Sequence, residues 1–390
     1  MTLLSKEECV SQVLKAIRSV VRTPTATLHE PTFGGNEWRY LQDCLDSTFV
    51  SSGGTYVERY ESELAAYTGS PYVVAVSSGT AALQVALRSA GVESDDEVLI
   101  PALTFVATAN AVTYLGAIPH FVDCDARTLG LDPTALRIHL ENIADLQGGK
   151  CVNRTTGRVI RTVIPVHVFG HPMEIDDLSE VANTFGINII EDAAESLGST
   201  FKGNHTGTFG LAGVLSFNGN KIITTGGGGA ILTNDPELAS RASHLSTTAK
   251  IAHDWEYVHD EIGYNYRLPN LNAALGCAQL EKLPDLLERK RRLFDLYSEA
   301  FAMIEGVDLV TEPPGCASNY WLQTLCLDES IREYRDAILH HCHSAGFELR
   351  PVWTPLHWLK PYWTCPKANL PVSESLYRAL INLPSSAHLA

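Results

Sequence analysis

The 390-residue sequence contains no run of about 18 consecutive apolar residues, the length a helix needs to cross a bilayer. Its opening, MTLLSKEECVSQVLKAIRSVV, alternates polar and apolar groups and has no uninterrupted signal-peptide core. An amphipathic helix is expected there, and no membrane association. The nine cysteines, at 9, 44, 124, 151, 277, 316, 326, 342 and 365, form no C-x-x-C pair and follow no regular spacing. That excludes a zinc framework and a disulfide scaffold, and it points to reduced thiols and a cytoplasmic protein. Positive charge is scarce: 29 Lys and Arg stand against 45 Asp and Glu, a net charge of −16. Nucleic-acid binding needs clustered cations and is not expected. Internal repeats and low-complexity tracts are also missing.

What is present is an ordinary globular composition, 45% apolar and 19% charged, long enough for two domains or one large domain with an appendage. Amphipathic patterns at Asn36–Leu45 and Val57–Tyr67 predict two helices. From Tyr72 onward, short apolar runs alternate with helical patterns. Strands are predicted at Tyr72–Val76, Glu97–Ile100, Pro119–Val122, Val159–Val166 and Asn188–Ile190. Alternation of this kind predicts an α/β fold with a mainly parallel sheet covered on both faces. Beyond about residue 260 the pattern changes to a long helix over Leu271–Leu296 with a possible break at Pro284. A strand at Tyr320–Leu327 and a helix at Ile331–Ala345 follow, as in a smaller α+β domain.

Three segments at predicted strand ends could carry chemistry, because open α/β sheets bind ligands there. Ser77-Ser78-Gly79-Thr80 precedes a helix, whose first N–H groups suit a phosphate; an ordinary helix cap has the same pattern. Glu191-Asp192-Ala193-Ala194-Glu195 closes an apolar strand with acids, which could hold a protonated ring nitrogen or simply lie in solvent. Ser216-Phe217-Asn218-Gly219-Asn220-Lys221 runs on to four glycines at 226–229. The glycines imply a tight bend or room for a ligand, and a partly desolvated lysine there is a candidate nucleophile; a surface lysine in a flexible loop has the same pattern. A phosphate cradle, a strand-end Asp and a glycine-flanked Lys, in that order, are the parts a pyridoxal phosphate site requires. Phe105 could stack on the ring.

The stretches SSGTAAL, PALTFVATANAV, EDAAESLGS, SFNGNKIITTGGGGAILTND and GYNYRLPNLNAALGCAQL resemble those of the DegT/DnrJ/StrS family of pyridoxal-phosphate-dependent nucleotide-sugar aminotransferases. The resemblance implies a fold-type-I architecture: a seven-stranded, mainly parallel sheet between helices, and a smaller C-terminal α+β domain. It divides the chain into an N-terminal helical extension (1–27), a large cofactor domain (28–260) and a small domain (261–390). It makes Lys221 the Schiff-base lysine and Asp192 the partner of the pyridine nitrogen. Phe105 takes the ring-stacking position, Gly79, Thr80 and Ser216 serve the phosphate, and Glu195 faces the cofactor hydroxyl, where many relatives carry Gln or His. A homodimer is implied, with Asn265 reaching the other subunit's phosphate. L-Glutamate is the implied donor, 2-oxoglutarate its product and a nucleotide-linked keto sugar the acceptor, with pyridoxamine phosphate between the two half-reactions. The segments at 48–52, 216–229 and 350–357 look most like the branch acting on UDP-linked 4-keto-6-deoxy-N-acetylhexosamines. Arg350 and His357 are candidate substrate contacts.

Two other functions fit the same fold: a sugar dehydratase and a non-catalytic regulatory protein. Dehydrating relatives carry His in place of the lysine, and a regulatory protein need keep neither Lys221 nor Asp192. Outside these segments, Arg289-Lys290-Arg291-Arg292 reads as a solvated helix face. His340, His341, Cys342 and His343 point about 100° apart from neighbour to neighbour on a helix and cannot converge, so no metal is expected.

Overall fold

A computed structural model describes residues 5–390; the first four residues of the expected N-terminal helix lie outside it. Seven strands form the central sheet: β1 (Tyr72–Val76), β2 (Glu97–Pro101), β3 (Ile118–Val122), β4 (Ile160–Val163), β5 (Asn188–Asp192), β6 (Ala212–Ser216) and β7 (Gly229–Thr233). Their spatial order is β1-β7-β6-β5-β4-β2-β3. Only β7 runs antiparallel to its neighbours. All six other strands therefore deliver their C-terminal ends to one edge, and the glycine run enters β7 at that same edge.

Side-chain alternation explains why both faces are covered. Val76, Val98, Ile100, Val214 and Ile231 pack with Leu83 and Val85 of helix α4 (Gly79–Ser89), and with residues of α5 (Ala107–Thr113) and α8 (Pro236–Ser246). Their neighbours Ala75, Leu215, Ala230 and Leu232 face the opposite way. They meet Leu64 of α3 (Thr55–Thr68) and Ala274 and Cys277 of α9 (Asn270–Phe301). Further along that face, Leu99, Val163 and Ile189 are covered by α6 (Pro133–Ile143) and α7 (Ile175–Phe185).

Helix α9 runs unbroken through Pro284 for 32 residues. Proline forfeits one backbone donor, but Leu280, Leu283 and Leu286 are buried on either side and hold the helix on its course. The first half of α9 belongs to the core under the large sheet. Its second half, with Leu293, Tyr297 and Phe301, belongs to a separate core. That second core lies beside a four-stranded antiparallel sheet of β8 (Val307–Leu309), β9 (Thr324–Leu327), β10 (Arg350–Pro351) and β11 (Leu380–Asn382), in the order β8-β9-β11-β10.

The N-terminal helix α1 (Lys6–Val20) packs into this second core, burying Val13, Leu14, Ile17 and Val20 against α9 and α10 (Arg335–Ser344). Its start is fixed by a capping box between Ser5 and Glu8. The strand expected from Tyr320 begins only at Thr324, because Tyr320 adopts the left-handed region (φ 47°) and interrupts the extended backbone. Among the described residues no helix is long and apolar enough to cross a membrane, and the nine cysteines are unpaired.

Ile17 is fully buried among the side chains of the C-terminal core. Ile17→Ala should lower the unfolding free energy by about 2–5 kcal/mol, measured by urea titration; a loss below about 0.5 kcal/mol, the size of a surface change, would show that α1 is peripheral.

Candidate active site

At the C-terminal edge of the sheet lies a cavity of about 690 Å³. One end is built by the turn from β1 into α4. Ser78 Oγ accepts a hydrogen bond from the Ala81 N–H at 3.1 Å. Gly79 and Thr80 occupy the first helical turn, where N–H groups have no intrahelical acceptor and the helix dipole is positive. A Cβ on Gly79 would lie 2.8 Å from Ser216 Cβ, and one on Gly229 would lie 2.5 Å from the Ser78 carbonyl. Glycine at these two positions lets β6, β7 and the start of α4 close up, which brings the Ser216 hydroxyl beside the helix N-terminus. Gly226 supplies the bend (φ +79°), while Gly227 and Gly228 line the cavity. The result is an anion cradle made without any fixed positive charge.

The adjacent acids of β5 do different work because a strand alternates its faces. Glu191 points away from the cavity, bound to His167 Nε2 at 3.0 Å and to the N–H groups of Gly207, Phe209 and Gly210 at 2.7–2.8 Å. Burial opposes its ionisation, but His167 and those N–H groups outweigh burial and hold the carboxyl below the usual range. Asp192 faces the cavity. Its carboxylate accepts from Thr108 Oγ1 at 2.8 Å and from the Ala194 N–H at 3.2 Å. Burial nonetheless pushes its pKa up. Glu195 is also raised by burial, with Lys221 pulling the other way, and its Oε2 accepts from the Phe169 N–H at 2.9 Å.

Lys221 projects into the same space with its side chain only 13% exposed. Its Nζ lies 3.4 Å from Glu195 Oε1 and 3.9 Å from the centroid of the Trp321 ring. Phe105, 53% exposed, presents an aromatic surface along the cavity wall. Gly79, Thr80, Phe105, Asp192, Glu195, Ser216, Lys221 and Arg350 thus all line one cavity. Two expected residues do not. Asn265 is exposed outside it, its Oδ1 accepting from Arg267 Nη2 at 3.1 Å. His357 is buried, with Nε2 3.2 Å from Glu374 Oε1 on α11 (Pro371–Ala379).

Residue-level reasoning missed Trp321, Thr108 and Lys290. Trp321 Nε1 donates to the Asn220 carbonyl at 2.7 Å, tying the indole to the lysine loop. Asn319 holds both sides: its Oδ1 accepts from the Trp321 N–H at 2.8 Å, and its Nδ2 donates to the Glu195 carbonyl at 2.9 Å. Lys290 corrects the reading of residues 289–292 as a solvated face. It is fully buried, with Nζ donating to the carbonyls of Trp321, at 2.6 Å, and Ser385. Burial pulls its pKa well below the ordinary lysine value. The signal was in the spacing: Leu283, Leu286, Lys290, Leu293 and Tyr297 fall on one helical stripe, which puts Lys290 on the buried face of α9.

The donor set is an N–H and hydroxyl cradle for an anion, a buried carboxylate lacking a cation of its own, one amine, and an exposed aromatic face. These match the phosphate, protonated ring nitrogen, aldehyde and ring of pyridoxal phosphate. A site so composed is suited to the pyridoxal-phosphate chemistry of amino groups. The chain belongs to the DegT/DnrJ/EryC1/StrS aminotransferase family, whose sequence profile matches residues 31–390. It is 36% identical to a GDP-perosamine synthase of Escherichia coli O157:H7 over 93% of this chain and 94% of that protein. It is 37% identical to the putative pyridoxal phosphate-dependent aminotransferase EpsN of Bacillus subtilis, over 93% and 91%. Among solved structures, the aminotransferase TlmJ from Streptoalloteichus hindustanus superposes with a TM-score of 0.84 at 27% identity, covering 94% of this chain and 95% of that one. The protein is a pyridoxal-phosphate-dependent sugar aminotransferase.

Burial raises the Asp192 pKa, so the cofactor-free native state holds a proton that the unfolded chain has released. Stability must then fall as pH rises from the ordinary carboxylate range through the raised value. Asp192→Asn removes that titration. Cofactor-free Asp192→Asn should lose less stability than wild type between pH 4 and pH 7 in thermal unfolding, while its turnover with cofactor falls by about 100-fold or more. An equal or steeper pH-dependent loss in the variant would contradict the assignment.

Proposed function

We propose that the enzyme transfers the amino group of L-glutamate to C4 of a nucleotide-linked 4-keto-6-deoxy-N-acetylhexosamine carried on UDP. The observation that carries the reaction is the placement of Lys221, Asp192 and Glu195 in one cavity, with a phosphate cradle at one end and open space at the other. When bound, pyridoxal phosphate supplies an aldehyde carbon that exchanges nitrogen with amines and a ring that spreads the resulting negative charge.

The chain's own residues do the rest. Gly79, Thr80 and Ser216 hold the phosphate, and Phe105 lies against the ring. Asp192 keeps a proton at the ring nitrogen, and Thr108 and the Ala194 N–H fix the direction in which its oxygens point. Lys221 Nζ takes the proton from Cα of glutamate and, in the reverse half, returns one to the sugar carbon that receives nitrogen. A single amine serves both halves. Glu195, bound to Lys221 and to the Phe169 N–H, orients that amine between the two tasks.

Of the three segments that suggest the N-acetyl branch, two reach the cavity: Ser216, Lys221 and Gly228 from one, and Arg350 and Trp353 from the other. A GDP-linked acceptor is the second reading, favoured by the 36% identity to a GDP-perosamine synthase. Glutamate-dependent amination of a panel of UDP-, GDP- and dTDP-linked 4-keto and 3-keto sugars separates them. The proposal expects turnover with UDP-4-keto-6-deoxy-N-acetylhexosamine; turnover confined to GDP sugars, or to 3-keto sugars, overturns it.

A homodimer with shared sites completes this reading. Trp38, Phe49, Trp255, Tyr257 and Ile262 are large apolar side chains left exposed on a single chain, as an interface between copies requires. Asn265 would serve the other subunit's phosphate. In mixed dimers of Lys221→Ala with Asn265→Ala, a contact in trans leaves one site of the two fully intact, with wild-type cofactor affinity. Only weakened sites in such mixtures would place Asn265 in its own subunit's chemistry.

A further inference from the structure

The outer wall of the cavity has a charge arrangement that the half-reactions above leave unused. Of the residues lining the cavity, Arg350 is the one arginine, and Lys221 is the only other permanently basic side chain. His29 also lines the wall, but burial drives its pKa well below the ordinary value and it stands there as a neutral imidazole. Both substrates of the proposed reaction bring anionic oxygens: the donor a second carboxylate, the acceptor a diphosphate. Lys221 is committed to proton transfer, so Arg350 is the cation this chain offers them.

Arg350 is already occupied. Its Nη2 donates to Glu348 Oε1 at 2.6 Å. The two residues are two apart in the chain and both line the cavity. The other carboxylate oxygen of Glu348 accepts from the Leu28 N–H at 3.3 Å, and the Glu348 N–H donates to the Ala26 carbonyl at 2.8 Å. Glu348 is thus tethered by Ala26 and Leu28, ahead of the residues 31–390 that the family profile matches, while among the described residues the Arg350 guanidinium is held by Glu348. The arginine side chain is 58% exposed and the glutamate 35%. An ion pair this open to water is weak and easily exchanged. The guanidinium partner also holds the Glu348 carboxyl below the usual range, so it is ionised at neutral pH.

We propose that Glu348 is a built-in counter-ion that occupies Arg350 between substrates and is displaced by the carboxylate or diphosphate of each incoming one. This rests on the reading of Arg350 as a substrate contact. The exchange would let one guanidinium serve two dissimilar anions in turn without holding either product tightly. Glu348 would be a specificity-determining residue that acts on affinity, through Arg350.

The test is calorimetric titration of the holoenzyme with glutarate, UDP and GDP, none of which can undergo amino transfer. Glu348→Gln should bind at least one of these probes about two- to fivefold more tightly than wild type. Arg350→Gln should weaken the same probe by about tenfold or more. Glu348→Gln added to Arg350→Gln should recover less than half of its single-variant gain. Tighter binding of glutarate alone assigns the exchange to the donor carboxylate, and of the nucleotides alone to the diphosphate. Unchanged or weaker binding in Glu348→Gln overturns the proposal. So does an equal gain with and without Arg350, which is simple repulsion. The glutamate-driven loss of the bound cofactor's visible absorbance, followed in wild type, tests the aminotransferase reading separately.

Discussion

Two carboxylates buried beside one amine set the terms for the rest of this structure. Asp192 and Glu195 are both nearly inaccessible, and Lys221 Nζ lies 3.4 Å from Glu195 Oε1. Desolvation raises both acids towards their neutral forms. A protein would not keep that arrangement for stability, since a buried carboxylate without a partner is costly. A protonated ring nitrogen placed against Asp192 would relieve that cost. The hydrogen bonds from Thr108, Ala194 and Phe169 hold the acids in place for that guest. The mainly parallel sheet brings them to one edge, and close approach at Gly79 and Gly229 sets the anion cradle opposite them. The net charge of −16 is no obstacle to an anionic guest, because a cradle of helix-end N–H groups and hydroxyls needs no fixed cation.

Much of this was legible in the sequence because the site is made of local signals. Strand β1 lies at the residues that its apolar run marked, and Asp192 closes the strand that Asn188–Ile190 announced. The glycine run needed no long-range information to be read as a bend and a close approach. What escaped depends on contacts between distant segments. Trp321 was read as part of a strand; its place beside Lys221 depends on a left-handed Tyr320, on Asn319 and on Lys290, none of which local periodicity reports. Thr108 looked like any helix residue until β5 was set against α5. Lys290 could have been found, since it lies on the apolar stripe of α9, but its charge and its basic neighbours masked the periodicity.

The N-terminal residues illustrate the same division. Their amphipathic pattern announces a helix but not its partner. That partner is the core shared by the second half of α9 and α10, far along the chain. From α1 the chain continues through Ala26 and Leu28, which hold Glu348 at the cavity wall. A segment ahead of the residues matched by the family profile thereby reaches the cavity wall.

The central claim is that Lys221 is the amine that carries the cofactor. Borohydride reduction of the holoenzyme, followed by peptide mass spectrometry, tests it most directly. The account predicts one phosphopyridoxyl group per chain, on Lys221. Modification of a different lysine, or loss of all cofactor on denaturing the reduced protein, would contradict it.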